Sequence, residues 1–152
     1  TPIAYTSLAV IPTSGSARYD GYLYGALSDA RGSQTESVIG RLNLDVAFSN
    51  SSAGFTGNAS DFVTGDNDAL TGTLSISGGG LNRNGNPASD ATVQGVAVNG
   101  TLTGAGATRV FGIALEGDFL GTTAEAIGGD ALGRVTVDDT DQDFDGGFIA
   151  EN

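Results

Sequence analysis

Apolar and polar residues alternate along this chain with a period of two. Residues 17–27 read Ala-Arg-Tyr-Asp-Gly-Tyr-Leu-Tyr-Gly-Ala-Leu, which places Tyr19, Gly21, Leu23, Gly25 and Leu27 on one face. Successive side chains of a strand leave opposite faces, so this spacing predicts a half-buried strand. The next is clearer: Val38, Leu42, Leu44, Val46 and Phe48 point one way, and Arg41, Asn43 and Asp45 the other. Asn50-Ser51-Ser52 reads as a tight hairpin, and a third strand returns over residues 54–63. Gly65-Asp66-Asn67-Asp68 is the next turn, followed by a fourth strand carrying Leu70, Gly72, Leu74 and Ile76. Further strands are predicted over residues 92–103, 109–120, 131–137 and 146–150. Residues 78–90, with Gly78-Gly79-Gly80 and Pro87, form the longest predicted loop.

Strands joined by short turns, with no crossover helices between them, predict an all-β, antiparallel up-and-down sheet. About eight strands suffice to close such a sheet into a barrel filled by side chains. An open two-sheet sandwich is the rival architecture. Residues 122–127 are expected to make one short helical turn. Residues 1–13 form an N-terminal strand or arm, and residues 14–152 the barrel domain.

Composition strengthens this reading. The 152 residues suit one domain, and 25 glycines against 3 prolines would burden helices by about 1 kcal/mol for each interior glycine. Asp and Glu number 18 against 6 basic residues, for a net charge of -12. Such a chain repels phosphate backbones, so nucleic acid is not an expected partner. With no His or Cys, the commonest general base and thiolate chemistry are missing. No apolar run is long enough for a transmembrane helix. The acidic, lysine-free surface suits an extracytoplasmic, cell-surface or secreted setting. Thr1-Pro2-Ile3 lacks the start of a secretion signal, so the chain reads as a mature or trimmed product. The sequons at Asn50, Asn58 and Asn99 read as chance in so Ser- and Gly-rich a sequence.

Four pieces in order carry a family resemblance. They are Gly15-Ser16-Ala17-Arg18-Tyr19-Asp20-Gly21; Leu44-Asp45-Val46-Ala47-Phe48 with Gly54-Phe55-Thr56-Gly57; Phe119-Leu120-Gly121 through Ala124 to Gly128-Gly129; and Phe144-Asp145-Gly146-Gly147-Phe148-Ile149-Ala150. Together they resemble the barrel domain of transferrin-binding-protein-B-like proteins, Gram-negative surface lipoproteins and secreted haem- or protein-binding modules. The chain departs from the family at Thr122, where proline is usual, and at Ala126, with its acid at Glu125 instead. The turn is expected to survive, capped by Thr122 or Thr123 and ended by a left-handed Gly128. The resemblance implies a non-enzymatic binding module that captures a protein partner or a haem-type nutrient.

Asp139, Asp141, Asp143 and Asp145, followed by Gly146, have the alternate spacing of the first half of a calcium loop. The competing reading is a solvated hairpin loop. Tyr22 and Tyr24 are candidate partner-binding anchors, facing outward while Tyr19 faces in; tyrosinate could also ligate haem iron. Glu116 and Asp118 share a strand face near Glu125, but without Trp they make a weak glycosidase signal. No catalytic set is expected. Residues 1–13 could pack across their own barrel or add to a neighbour's sheet. The alternative function is thus a structural subunit of an extracellular fibre, built through that strand and stabilised by calcium.

Overall fold

The computed structural model describes residues 5–81 and 92–152. Its strands are β1 (Ser16–Ser28), β2 (Gln34–Phe48), β3 (Ala53–Thr64), β4 (Leu74–Leu81), β5 (Thr92–Gly104), β6 (Ala107–Leu120), β7 (Ala126–Val137) and β8 (Thr140–Glu151). Each pairs antiparallel with its sequence neighbours, and β1 pairs with β8, giving the closed up-and-down barrel that the alternation predicts. None of the described helices is long and apolar enough to cross a membrane.

The final strands are longer than expected. β7 begins at Ala126, so the helical turn expected over 122–127 is replaced by a non-helical turn that leads directly into strand. β8 begins at Thr140, inside what reads in sequence as an acidic loop. The whole connection is a hairpin centred on Asp138 and Asp139, with φ of 45° and 71°, the positive values that a type I′ turn needs. Acidic residues tolerate this ladder because alternate positions face water. β4 also differs, starting at Leu74, since residues 69–71 make only isolated bridges to β3 and β5. It then runs through Gly78-Gly79-Gly80, because Gly79 lies where a Cβ would come within 2.5 Å of Val96. Only residues 78–81 of the expected 78–90 loop are described, and they are strand.

The interior is filled. Leu23, Leu42, Leu74, Leu102 and Phe119 are fully buried, and the rings of Phe111 and Phe144 meet edge to face at 5.8 Å. One end of the barrel is stoppered by Tyr19, Phe48 and Phe119, the Phe119 ring centroid lying 6.0 Å from that of Tyr19 and 5.9 Å from that of Phe48. The buried Tyr19 hydroxyl donates to the Ala124 carbonyl at 2.8 Å. At the other end Arg109 of β6 reaches Glu36 of β2, four strands around the ring, through two hydrogen bonds of 2.6 and 2.7 Å. Its remaining guanidinium nitrogen donates to the Gly104 and Ala107 carbonyls.

The β1–β8 seam is drawn tight. A Cβ on Gly146 would lie 1.9 Å from the Tyr24 carbonyl oxygen, and one on Gly21 1.9 Å from that of Ile149. Only glycine admits backbones this close.

Candidate functional site

With the bore occupied by side chains, space for a ligand lies on the outer wall. Antiparallel register builds that wall in rows. One row runs Glu116, Asp130, Gly147, Tyr24 and Ile39 across β6, β7, β8, β1 and β2. The row beside it runs Thr92, Asp118, Gly128, Ile149, Tyr22 and Arg41. Between them opens a groove of about 490 Å³, with Tyr24, Glu116, Asp130 and Ile149 around it, Tyr5 at one end and Gly128 in its floor. Gly147 lies beneath Tyr24, and a Cβ there would stand 2.9 Å from the Gly129 carbonyl oxygen of the neighbouring strand.

Exposed apolar side chains gather on this same wall. Tyr22 (47% exposed), Tyr24 (44%), Ile39 and Ile149 are neighbours in the two rows, with Tyr5 and Leu132 beyond them. Tyr22 and Tyr24, predicted as outward anchors, thus stand side by side on β1. Tyr19 faces inward as predicted, and burial pushes its hydroxyl up to about 12.

Glu116 and Asp118, read in sequence as one face of a strand, are joined by Asp130, which sequence reasoning passed over. Glu116 and Asp130 are directly opposite across the β6–β7 ladder, and neither forms an ion pair among the described residues. Asp118 accepts a hydrogen bond from the Thr92 hydroxyl at 3.5 Å. Like charges directly opposite on a sheet repel, so this pair costs stability unless a cation lies between.

The acids proposed as a calcium loop are not brought together. Asp139 is in the turn; Asp141, Asp143 and Asp145 occupy alternate outward positions of β8. On an extended strand Asp141 and Asp145 are separated by roughly 13 Å, too far for their oxygens to meet on one ion. Asp141 instead accepts the Thr136 hydroxyl at 2.7 Å, and Asp143 is paired in register with Arg134. Among the described residues no three acidic side chains form a metal site.

The turn after β6 also has a local task. Gly121 has φ of 93°, and a Cβ on it would collide with the Glu125 carboxylate at 1.6 Å. That carboxylate accepts the hydroxyl and N–H of Thr123 and the hydroxyl of Thr122, and these bonds, the Thr123 hydroxyl foremost, hold it below its usual pKa. The expected threonine cap is thus reversed, with the Glu125 carboxylate capping the Thr123 N–H and the threonine hydroxyls donating to it; the left-handed residues are Gly121 and Ala124, while Gly128 lies within β7.

Of the N-terminal arm, residues 5–13 are described. Tyr5 bridges Leu120, the Thr6 N–H donates to the Phe119 carbonyl at 2.8 Å, and the Thr6 hydroxyl donates to that of Gly121 at 2.7 Å. The arm makes a short 3-10 turn at Leu8–Val10 and buries Ile11. It therefore packs on its own barrel, one of the two arrangements that its apolar pattern allowed, and supplies Tyr5 to the groove.

No family model, curated protein or solved structure matches the chain.

Proposed function

We propose that the protein is a non-enzymatic, extracytoplasmic binding module that captures a protein partner on the outer wall formed by β6, β7, β8, β1 and β2. The observation that carries this reading is the gathering of Tyr5, Tyr22, Tyr24, Ile39 and Ile149 on one wall, where Tyr5, Tyr24 and Ile149 line a groove. A contiguous apolar patch is costly to leave in water, and tyrosines supply much area for little rotamer entropy when a partner covers them. Glu116, Asp118 and Asp130 would repel the carboxylate-bearing edge of a haem, which favours a protein over a haem-type nutrient. The resemblance to transferrin-binding-protein-B-like barrels agrees with this reading and names no partner. An arm packed on its own barrel likewise gives the fibre alternative less support.

Site-specific photo-crosslinking tests the proposal. A benzophenone amino acid is placed at Tyr24 or at Val110, which is similarly exposed on the outer face of β6 near the barrel's other end. In the protein's native surroundings, position 24 should give a discrete protein adduct and position 110 none. Equal labelling from both positions, or none from either, would overturn it.

A further inference from the structure

We infer that the partner presents a basic, extended segment to the groove, seating an arginine or lysine head at Glu116 and Asp130 while the stem crosses Tyr24. The inference rests on the outer-wall reading and adds the chemistry of its occupant. Glu116, Asp130, Gly147 and Tyr24 lie in one outward row, with neighbouring strands about 4.8 Å apart. A cation at the acidic end is then within reach of the tyrosine ring, where it gains a cation–π contact in addition to two carboxylates.

The arginines of the described residues do not meet this demand. Arg18 pairs with Asp20 and Asp45, Arg109 is turned into the barrel, Arg134 is opposite Asp143, Arg41 stands beyond Tyr22 on β2, and none of these lines the groove. The facing pair Glu116 and Asp130 is left with mutual repulsion that a partner's cation would relieve. Gly128 keeps the floor low enough for an extended chain to approach, and Ile149 and Tyr24 offer apolar surface to the methylene stems. A second copy of the chain is a poor occupant, because each copy carries a net charge of -12.

The probe is the capped peptide Gly-Arg-Gly-Arg-Gly-Arg-Gly, whose alternation sets its arginines on one face of an extended chain. Calorimetric titration at low salt should detect binding that weakens as salt is raised, and none with the matching Gly-Glu peptide. Glu116→Gln with Asp130→Asn should weaken binding at least about tenfold, and Tyr24→Leu alone should weaken it severalfold. Asp66→Asn with Asp68→Asn removes the same charge from a turn at the other end and should leave binding within about twofold. The Glu116→Gln/Asp130→Asn protein should also melt higher than wild type, since it loses a repulsion.

Equal weakening in both double variants would mean diffuse attraction and would overturn the inference, as would no binding by wild type. If the arginine peptide does not bind while position 24 still crosslinks a partner, only the occupant's chemistry is wrong. If crosslinking fails as well, the wall itself is not the binding surface.

Discussion

At one end of the barrel Tyr19, Phe48 and Phe119 pack under the N-terminal segment, whereas at the other Arg109 and Glu36 reach across the bore to each other. The aromatic end obtains its stability from area removed from water, and its single phenol is satisfied by a carbonyl acceptor. The ionic end must compensate the buried Arg109 charge by geometry, which it does through the forked contact to a half-buried Glu36 and two backbone carbonyls. The difference bears on function, because the aromatic end also anchors the arm that brings Tyr5 to the groove.

The largest expected effect comes from splitting the ion pair. Glu36→Leu leaves the Arg109 charge buried and should cost about 3–5 kcal/mol, read from the urea midpoint at pH 7. Adding Arg109→Met should recover most of that loss. If the double variant is as unstable as the single, the pair is holding the barrel end open in a way that apolar packing cannot replace.

An intermediate effect belongs to Tyr19. Burial pushes its folded pKa up to about 12 from the ordinary 10.0, so the stability tied to its neutral form is complete below pH 10 and drains away as pH rises through 12. The full loss is about 3 kcal/mol. Tyr19→Phe should be less stable than wild type by about 1 kcal/mol at pH 7, for want of the bond to Ala124, yet overtake it near about pH 11. Parallel stability curves for the two proteins would show that the phenol does not titrate from a buried site.

The smallest effect is at the turn. Because the Glu125 pKa is lowered in the folded state, its contribution is present above the ordinary value of 4.5 and disappears as pH falls through the lowered one. The melting-temperature gap between wild type and Glu125→Gln should therefore be greatest near neutrality and close in acid. A gap that persists unchanged at low pH would argue against the threonine hydrogen bonds as its source.

Much of this architecture was legible from alternation alone, since inward positions such as Leu23, Leu42 and Leu44 repeat every second residue. The ionic end was not. Glu36 shares parity with Val38, and Arg109 with Phe111 in the strand predicted over residues 109–120, but their pairing is not in any local pattern, because the two residues meet only across the bore of the closed barrel.

The groove was half legible. Tyr22, Tyr24, Glu116 and Asp118 carry their outward placement in the local pattern. Asp130 does not, because it precedes the predicted seventh strand, and its position opposite Glu116 is fixed by inter-strand register. The acidic run after residue 137 misled for a related reason. Five aspartates read locally as turn, while pairing with β7 and β1 imposes strand on most of them.

The tight seam between β1 and β8 has a kinetic meaning. Every other ladder joins strands adjacent in sequence and can zip locally, but this one must bring together Asp20 and Glu151, nearly a chain length apart. It is expected to close last. Until it does, β1 and β8 are both free edges, open to any strand in the vicinity. Gly21 and Gly146 let the meeting backbones approach closely. A foreign edge bearing side chains at those positions could not approach as near, so the seam lets the nascent barrel prefer its own other end over a neighbouring molecule.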